Sequence, residues 1–330
     1  MDHTQKRPNA DLPDHYRPRH KWLPEREHKA YPGGPDKDAF GDEYLYRPSL
    51  LGRAQVDPSE VAAGTRSSMK ITYTAGAAGL PVGTVVSFGA RGQNPLGWMP
   101  PTFSITGPEG CVFRPQGQGF VVEDGHLAEG QQVTLEWEPF EWTPLAARRE
   151  IKVVFSYPAG RPEQRRPEPL VVTVLPLQAD RLEVTLPCTH RPGETIRGRV
   201  TARDRFDNRA PAGGSLVLSN GRRVAMDLGM CDFTVKGSGE PLRVTAASDS
   251  LPGSTSNQSV PSDDYQLYVG DLHAHDFLSQ AEGYTDEVYR WAMEDRRLDF
   301  VSVVPQTHGR HDNETWTIVK YMNERFHREG

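Results

Sequence analysis

The hydrophobic period of the chain changes near residue 265, and this change limits the folds that the sequence can adopt. Before it, short runs alternate apolar and polar residues between Gly- and Pro-rich clusters, as at residues 69–74 and 132–137. Such runs are typical of antiparallel β-sandwiches. After it, strand-like and helix-like patterns alternate, which indicates parallel strands joined by helices. The sequence therefore predicts a multi-domain protein in which two all-β sandwiches precede the first βαβα part of an α/β domain.

Four segments follow from these patterns. Residues 1–54, rich in Pro, His, Arg and Asp, show no apolar period and are expected to form an extended arm. The first sandwich is predicted at residues 55–178, the second at 179–262, and the beginning of the α/β domain at 263–330. In this last segment residues 265–275 are a predicted strand and residues 285–296 a predicted helix, with Thr285 as N-cap and with Asp286 and Glu287 favouring the positive helix start. One mostly apolar face of this helix is formed by Val288, Trp291, Ala292 and Asp295. The stretch 248–264, rich in Ser, Pro, Asn and Gly, is interpreted as the linker that leaves the second sandwich.

Composition and charge exclude several classes of partner. The formal net charge of −6 gives no electrostatic reason to bind nucleic acid or an anionic membrane, and no run of about 18 apolar residues is present to span a bilayer. Cys111, Cys188 and Cys231 are too few for a disulfide framework, which indicates a reducing compartment. We therefore expect a cytoplasmic protein that acts on a small-molecule substrate. The oligomeric state stays open.

The run Gly270-Asp271-Leu272-His273-Ala274-His275 carries the clearest chemistry. Side chains alternate along a strand, so Asp271, His273 and His275 are expected on one face. A carboxylate and two imidazoles are ligands for divalent transition metals such as zinc, manganese or iron. Asp271 is expected either to bind the metal directly or to orient one of the imidazoles. Such a run at the end of a parallel strand predicts a metal site, although an H-x-H pair also occurs where histidines only hydrogen-bond within a loop.

The second predicted parallel strand also leads to a histidine, His308. Active sites of α/β barrels form where the carboxyl ends of the strands meet, so His308 is a further candidate ligand. Arg310, His311 and Asp312 follow it and are possible substrate contacts. Arg310 has the chemistry to hold a phosphate or a carboxylate, and a solvated loop arginine is the alternative. No catalytic residue is assigned from these patterns.

Residues 200–208 resemble a strand and turn of bacterial immunoglobulin-like modules, which implies an immunoglobulin-like second sandwich. Asp207 and Asn208 suit the turn because their side chains cap local backbone groups. A calcium site formed by Asp204, Asp207 and Asn208 is an alternative use of these oxygens. The tryptophans of the first block are expected to pack in the core or at its rim, with ligand stacking as the alternative; they are Trp98, Trp137 and Trp142.

The D-x-H-x-H strand, the helix after it and the strand ending at His308 together resemble the opening of a PHP (polymerase and histidinol phosphatase) domain. The preceding β segments resemble those of a PHP-like bacterial family. The resemblance implies a distorted α/β barrel that holds two or three metal ions and hydrolyses phosphoesters. By position, His273, His275 and His308 match metal ligands of that family. Thr307 stands where the family usually has Asp, and Asp276 stands where Thr usually follows the histidine pair.

The stretch 265–330 has room for two βα units, whereas a parallel barrel needs about 200 residues or more. We therefore expect an incomplete catalytic domain, finished by a longer chain or a partner, and no phosphoester turnover by these residues alone. Two alternatives stay open. One is a β-sandwich binding or structural protein with a vestigial metal site, and the other is an amidohydrolase-type enzyme, which also opens with H-x-H.

Overall fold

The computed structural model describes residues 51–88, 102–151, 153–156, 158, 164–165, 170–275, 285–304, 320 and 322–327. These residues are mostly β-sheet, with one helical segment between the last two strands and another near the carboxyl end. The cysteines Cys111, Cys188 and Cys231 form no disulfide.

The first domain is a β-sandwich, as the alternating runs predict. Its sheets have the strand orders β1-β3-β8-β5, β11-β10-β4-β7-β6 and β2-β12-β9. The strands are β1 (Arg53–Asp57), β2 (Glu60–Ala62), β3 (Arg66–Thr74), β4 (Val85–Phe88), β5 (Phe103–Thr106), β6 (Val112–Gln116), β7 (Gly119–Asp124), β8 (Gln132–Glu141), β9 (Ala147–Ile151), β10 (Val153–Ser156), β11 (Gln164–Arg165) and β12 (Leu170–Leu175).

Alternation along β3 shows why this sequence forms a sandwich. Met69, Ile71 and Tyr73 are buried, whereas the residues between them are at least partly exposed. The Tyr73 ring lies 5.6 Å from that of Phe155 in the facing sheet, and its hydroxyl donates to the Leu51 carbonyl over 2.6 Å. Leu51 is thus part of the core, and β1 begins two residues before the predicted boundary at residue 55.

The second domain is also a sandwich. Sheet β13-β15-β18 packs on sheet β17-β16-β19-β20, and β14 pairs with β21. The strands are β13 (Arg181–Thr185), β14 (Thr189–His190), β15 (Thr195–Arg203), β16 (Gly214–Leu218), β17 (Arg223–Met226), β18 (Met230–Lys236), β19 (Thr245–Ala247), β20 (Ser254–Thr255) and β21 (Val260–Pro261). The immunoglobulin-like character expected from the sequence agrees with these paired antiparallel sheets.

The predicted linker 248–264 was wrong, because β20 and β21 both lie in it. Ser256 and Ser259 are buried, and the Asn257 side chain both accepts from Leu186 N–H and donates to Leu186 C=O, at 2.8 and 2.9 Å. The polar residues that suggested a flexible connection instead satisfy backbone groups at the edge of the sandwich. This stretch is therefore an integral part of the second domain.

The carboxyl-terminal unit has the predicted β-α-β-α order. Strand β22 (Gly270–Ala274) pairs in parallel with β23 (Phe300–Val303), and the connection contains helix α1 (Thr285–Arg290) and a π-turn (Trp291–Asp295). Residues 322–326 are helical. A small core joins these elements through Tyr289, Val303 and Met322. The described residues thus show two parallel strands, and a barrel stays a proposal.

Two details of this unit differ from expectation. The predicted strand 265–275 is shorter, because regular pairing begins at Gly270, opposite Phe300. Trp291, expected on the apolar helix face, is 46% exposed, while Tyr289 and Ala292 are buried. The π-turn has more residues per turn than an α-helix, so it displaces the face that an α-helical period predicts.

Candidate functional site

The first candidate ligands lie on β22, next to the irregular part of the parallel pair. Gly270 and Asp271 pair with Phe300 and Val301, but the register shifts between Asp271 and Ala274. A shift of this kind interrupts the period of two, so the prediction that Asp271, His273 and His275 share one face does not follow from alternation alone. The placement of these side chains depends on their individual contacts.

The two imidazoles of this strand lie next to each other. The ring centroids of His273 and His275 are 4.7 Å apart and the rings are nearly perpendicular, at 85°. His273 is exposed and His275 is half-buried at the carboxyl end of the parallel pair. The structure therefore brings together the two histidines that the sequence singled out.

A backbone carbonyl sets the tautomer of the neutral His275 ring. Its Nδ1 lies 2.9 Å from the Val304 carbonyl oxygen, immediately after β23. A carbonyl oxygen only accepts, so Nδ1 must donate, and neutral His275 then carries its lone pair on Nε2. Metal-binding histidines are commonly oriented in this way, through a hydrogen bond from the ring nitrogen that does not ligate.

Asp271 contacts the backbone of the same strand. Its Oδ1 accepts a hydrogen bond from the His273 N–H over 2.8 Å. This bond closes a small turn across the register shift and therefore supports the chain at the first histidine. For Asp271 the sequence predicted either a direct metal ligand or a group that orients an imidazole. The observed contact is with the backbone N–H of His273 instead.

The other predicted site residues lie outside the described residues. These are His308, Arg310, His311 and Asp312, together with Thr307 and Asp276, at which the chain departs from the PHP pattern. Within the residues that the structure describes, no group of three or more His, Cys, Asp or Glu side chains is arranged to hold a metal ion. The candidate centre as described therefore consists of two imidazoles.

A carboxylate that sequence reasoning missed lies at the start of α1. Asp286 suggested only a favourable charge at a helix start, yet it is buried. Burial raises the pKa of Asp286 to about 6, helped by the nearby charge of Glu287 and opposed by Arg290. An acidic residue directly after a predicted N-cap gave no sign of this burial, because the pattern of a helix start indicates a favourable charge and not its exposure.

The alternative calcium site at residues 204–208 is wrong, because its carboxylate is already satisfied. Asp204 is fully buried, and its Oδ1 accepts from the N–H groups of Phe206 and Asn208, both at 2.9 Å. Its Oδ2 accepts from Leu177 N–H and Asn208 Nδ2, at 2.8 and 3.0 Å. Four donors occupy the lone-pair positions that a carboxylate offers to a cation.

The neighbouring ligand candidates are also engaged. Asp207 accepts from Arg181 Nη2 over 2.8 Å and from Arg296 Nη2. Asn208 Oδ1 accepts from Ala146 N–H over 2.8 Å. This turn is therefore a junction between domains.

The tryptophans of the first sandwich are core residues. Trp137 and Trp142 are buried, and Trp142 Nε1 donates to Ser67 Oγ over 2.8 Å. Packing, the first expectation for them, is what the structure shows. Trp98 lies outside the described residues. In the described parts of the chain, no helix has the length and apolar character needed to cross a bilayer.

Comparison with known proteins gives no functional assignment. No family model and no curated protein matches the chain. Similar solved structures include adhesin InvE of Yersinia pseudotuberculosis, 12% identical over 65% of this chain and 60% of that one, with a TM-score of 0.23. The β-glucuronidase of Parabacteroides merdae is 12% identical over 63% of this chain and 24% of its own, with a TM-score of 0.22.

The fibronectin(III)-like modules of CbhA from Clostridium thermocellum are 12% identical, over 63% of this chain and 94% of theirs, with a TM-score of 0.18. At such scores the similarities carry no argument about activity. The chain also spans less than two thirds of the adhesin and of the glucuronidase. The β-sandwich assignment therefore depends on the sheet topology alone.

Proposed function

We propose that the chain carries the opening strands of a PHP-like, metal-dependent hydrolase that acts on a phosphoester or a related small substrate. One observation supports this most: His273 and His275 lie ring to ring at the carboxyl end of a parallel strand, and Val304 orients His275. Active sites of parallel α/β folds form at this end of the strands.

The described residues fit part of a metal centre. His275 presents Nε2 with its lone pair while Nδ1 donates to a carbonyl, and the exposed His273 lies beside it. Catalytic zinc sites commonly use three protein ligands and leave a position open. Two of these would be His273 and His275, and the PHP resemblance adds His308. A divalent metal bound there supplies Lewis acidity toward an ester oxygen and lowers the pKa of water.

The residues of the chain itself would bind and orient. Val304 and Asp271 hold the histidine strand in place through the His275 ring and the His273 backbone. Arg310 has the charge and geometry to bind the phosphate or carboxylate of a substrate. A carboxylate at Thr307, usual in the family, is absent from this sequence. Asp276, where the family usually has Thr, is the candidate to restore a carboxylate nearby.

The direct test is metal binding by the full chain. Metal-stripped protein is titrated with Zn²⁺ against a chromophoric chelator, and the same titration is made on His273→Ala/His275→Ala. We expect the double variant to lose at least about a hundredfold in affinity. His126→Ala is the matched control because His126 is an exposed histidine of the first sandwich, and it should bind zinc as the wild type does.

The titration also separates the alternatives. If the wild type binds no transition metal, or if the double variant binds it unchanged, the proposal fails and a β-sandwich binding or structural protein is favoured. A phosphoesterase and an amidohydrolase-type enzyme both require the metal. Assays of the zinc-loaded protein with an aryl phosphate and with an aryl amide then distinguish them.

A further inference from the structure

The second sandwich holds the beginning of the histidine strand. The Thr189 hydroxyl, buried in β14, accepts from Leu267 N–H over 2.9 Å and donates to Gln266 Oε1 over 3.2 Å. Leu267 lies three residues before β22. One side chain of the sandwich therefore engages both backbone and side chain of the segment that enters this strand.

A second contact holds the beginning of the neighbouring strand. Arg203, at the end of β15, is fully buried and donates from Nη1 to both carboxylate oxygens of Asp295, at 2.8 and 2.9 Å. Its Nε donates to Glu183 Oε2 over 2.7 Å. Asp295 ends the π-turn that leads into β23. A buried guanidinium needs such partners, because an isolated buried charge is very costly.

Strand β15 also contacts the backbone carbonyls at the end of the π-turn. Arg203 Nη2 donates to the Asp295 carbonyl over 3.1 Å, and Arg199 Nη1 donates to the Glu294 carbonyl. The last carbonyls of a helix lack partners within it and carry partial negative charge. Two arginines of β15 thus cap the helix end with donors of the matching charge.

The segments that enter β22 and β23 are hydrogen-bonded to each other, and the two strands lead from there to the histidines. Val269 N–H donates to Asp299 Oδ2, and Asp299 N–H donates to the Val269 carbonyl, both over 2.8 Å. At the other end of the pair, Val304 N–H donates to Ala274 C=O over 2.9 Å, and the Val304 carbonyl accepts from His275. The sandwich therefore contacts the end of the parallel pair that lies opposite the imidazoles.

From these contacts we propose that the second sandwich is the base that sets the relative position of β22 and β23, with Arg203 and Thr189 as positioning residues. The role of a base stands on the contacts alone. Its consequence for metal binding by His273 and His275 depends on the function proposed above. In this role the immunoglobulin-like domain is a structural support of the α/β unit and takes no part in the chemistry.

Hydrogen–deuterium exchange on the full chain tests the proposal. Asp295→Asn breaks the charge pair from the side of the α/β unit and leaves Arg203 with Glu183, and Thr189→Val removes the hydroxyl with little change of shape. We expect exchange at the amides of Val269, Asp299 and Val304 to accelerate about tenfold or more in each variant. The β15–β18 ladder should keep the protection that it has in the wild type.

Arg222→Met is the matched control, because Arg222 donates to Thr234 within the same sandwich. It should leave exchange in β22 and β23 unchanged. The proposal is overturned if Asp295→Asn and Thr189→Val leave that exchange as in the wild type. It is equally overturned if β15 and β18 lose protection to the same degree, because the faster exchange in β22 and β23 would then follow from a general loss of stability of the second sandwich.

A zinc titration of the same variants links the base to the candidate site. The zinc affinity should fall in Asp295→Asn and Thr189→Val but not in Arg222→Met. If the wild type binds no zinc, the proposed function fails, while the exchange result still decides the positioning role. If the wild type binds zinc and the variants bind it equally well despite faster exchange, the base does not govern the metal site.

Discussion

Two short segments of this chain, residues 204–208 and 271–275, both have the composition of a metal site, yet the structure uses them in opposite ways. In the first, both oxygens of Asp204 are filled by four N–H donors, two of them from Asn208. In the second, Asp271 accepts from the His273 N–H and Nδ1 of His275 donates to the Val304 carbonyl, which leaves the lone pair of neutral His275 on Nε2. Ligand type alone therefore does not make a site.

The difference comes from the partners of each segment: three of the four donors to Asp204 belong to Phe206 and Asn208 of the same turn, and the fourth is remote in sequence. Asp204 accepts from Leu177, and Asn208 binds Ala146 and Pro144, so the turn connects the first sandwich to the second. Such donors compete with a cation for the same lone pairs. In the strand 271–275 the partner of His275 is a carbonyl acceptor instead. It binds the protonated nitrogen Nδ1 and leaves Nε2 with its lone pair. Whether the partners donate or accept hydrogen bonds therefore decides which segment is structural.

The largest effect is expected from Asp204→Asn. The amide nitrogen of Asn would replace one of the two oxygens and would face donors, so either the N–H groups of Phe206 and Asn208 or those of Leu177 and the Asn208 side chain would lose their acceptor. We expect the free energy of unfolding to fall by about 3–5 kcal/mol, measured by urea denaturation. An unchanged midpoint would mean that this carboxylate is not the centre of the junction.

The contributions of two buried carboxylates, Asp204 of the turn and Asp286 at the start of α1, should depend on pH with opposite signs. Burial raises the pKa of Asp204, but hydrogen bonds from Asn208, Leu177 and Phe206 outweigh this and lower it overall. Its contribution to stability is therefore present above its ordinary pKa of 3.8 and is lost as the pH falls through the lower folded value.

Asp286 behaves in the opposite way, because burial raises its pKa to about 6. Its contribution is fully present below pH 3.8 and is lost as the pH rises from there through about 6. Asp286→Asn should remove this loss and stabilise the protein at neutral pH by on the order of 3 kcal/mol. Urea denaturation at pH 4, 5, 6 and 7 checks the sign, and a variant less stable than the wild type at neutral pH would contradict it.

A smaller effect is expected at the contact between the sandwiches. Phe206 packs on Gly64, whose φ is +62°, and a Cβ there would lie 2.4 Å from the phenylalanine ring. Gly64→Ala adds backbone strain and displaces Phe206, so we expect a loss of about 1–2 kcal/mol. Calorimetry should show the two sandwiches unfolding less cooperatively, whereas a single unchanged transition would show that the contact does not couple them.

The smallest effect is expected for Asp271→Asn. The amide oxygen of Asn also accepts from His273 N–H, so stability should change by less than about 1 kcal/mol and zinc affinity by less than about tenfold. A large loss of zinc affinity with unchanged stability would instead make Asp271 a direct ligand. This result would sharpen the difference between the two segments, because Asp204 has no such freedom.

The sequence predicted what depends on local pattern. Alternation along β3 and the switch of period near residue 265 located the sandwiches and the β-α-β order. The spacing also singled out His273 and His275, although the register shift means that their contact depends on more than alternation. The sequence did not predict the structural use of residues 248–264, the saturation of Asp204 or the burial of Arg203. Asn257 and Arg203 meet partners that are distant in sequence, and the Asp204 turn combines local donors with Leu177; a hydrophobic period records neither kind of contact.

The central claim is that the His273–His275 pair has an available ligand nitrogen, whereas both carboxylate oxygens of Asp204 in the 204–208 turn are already occupied by N–H donors. Long-range ¹H–¹⁵N spectra of histidine side chains, recorded on the full chain with and without Zn²⁺, test it directly. We predict that His275 carries its proton on Nδ1, that its Nε2 signal shifts on adding zinc, and that the Leu177 and Asn208 amide signals stay unchanged. A proton on Nε2 of His275, or imidazole signals that do not respond to zinc, would contradict the account.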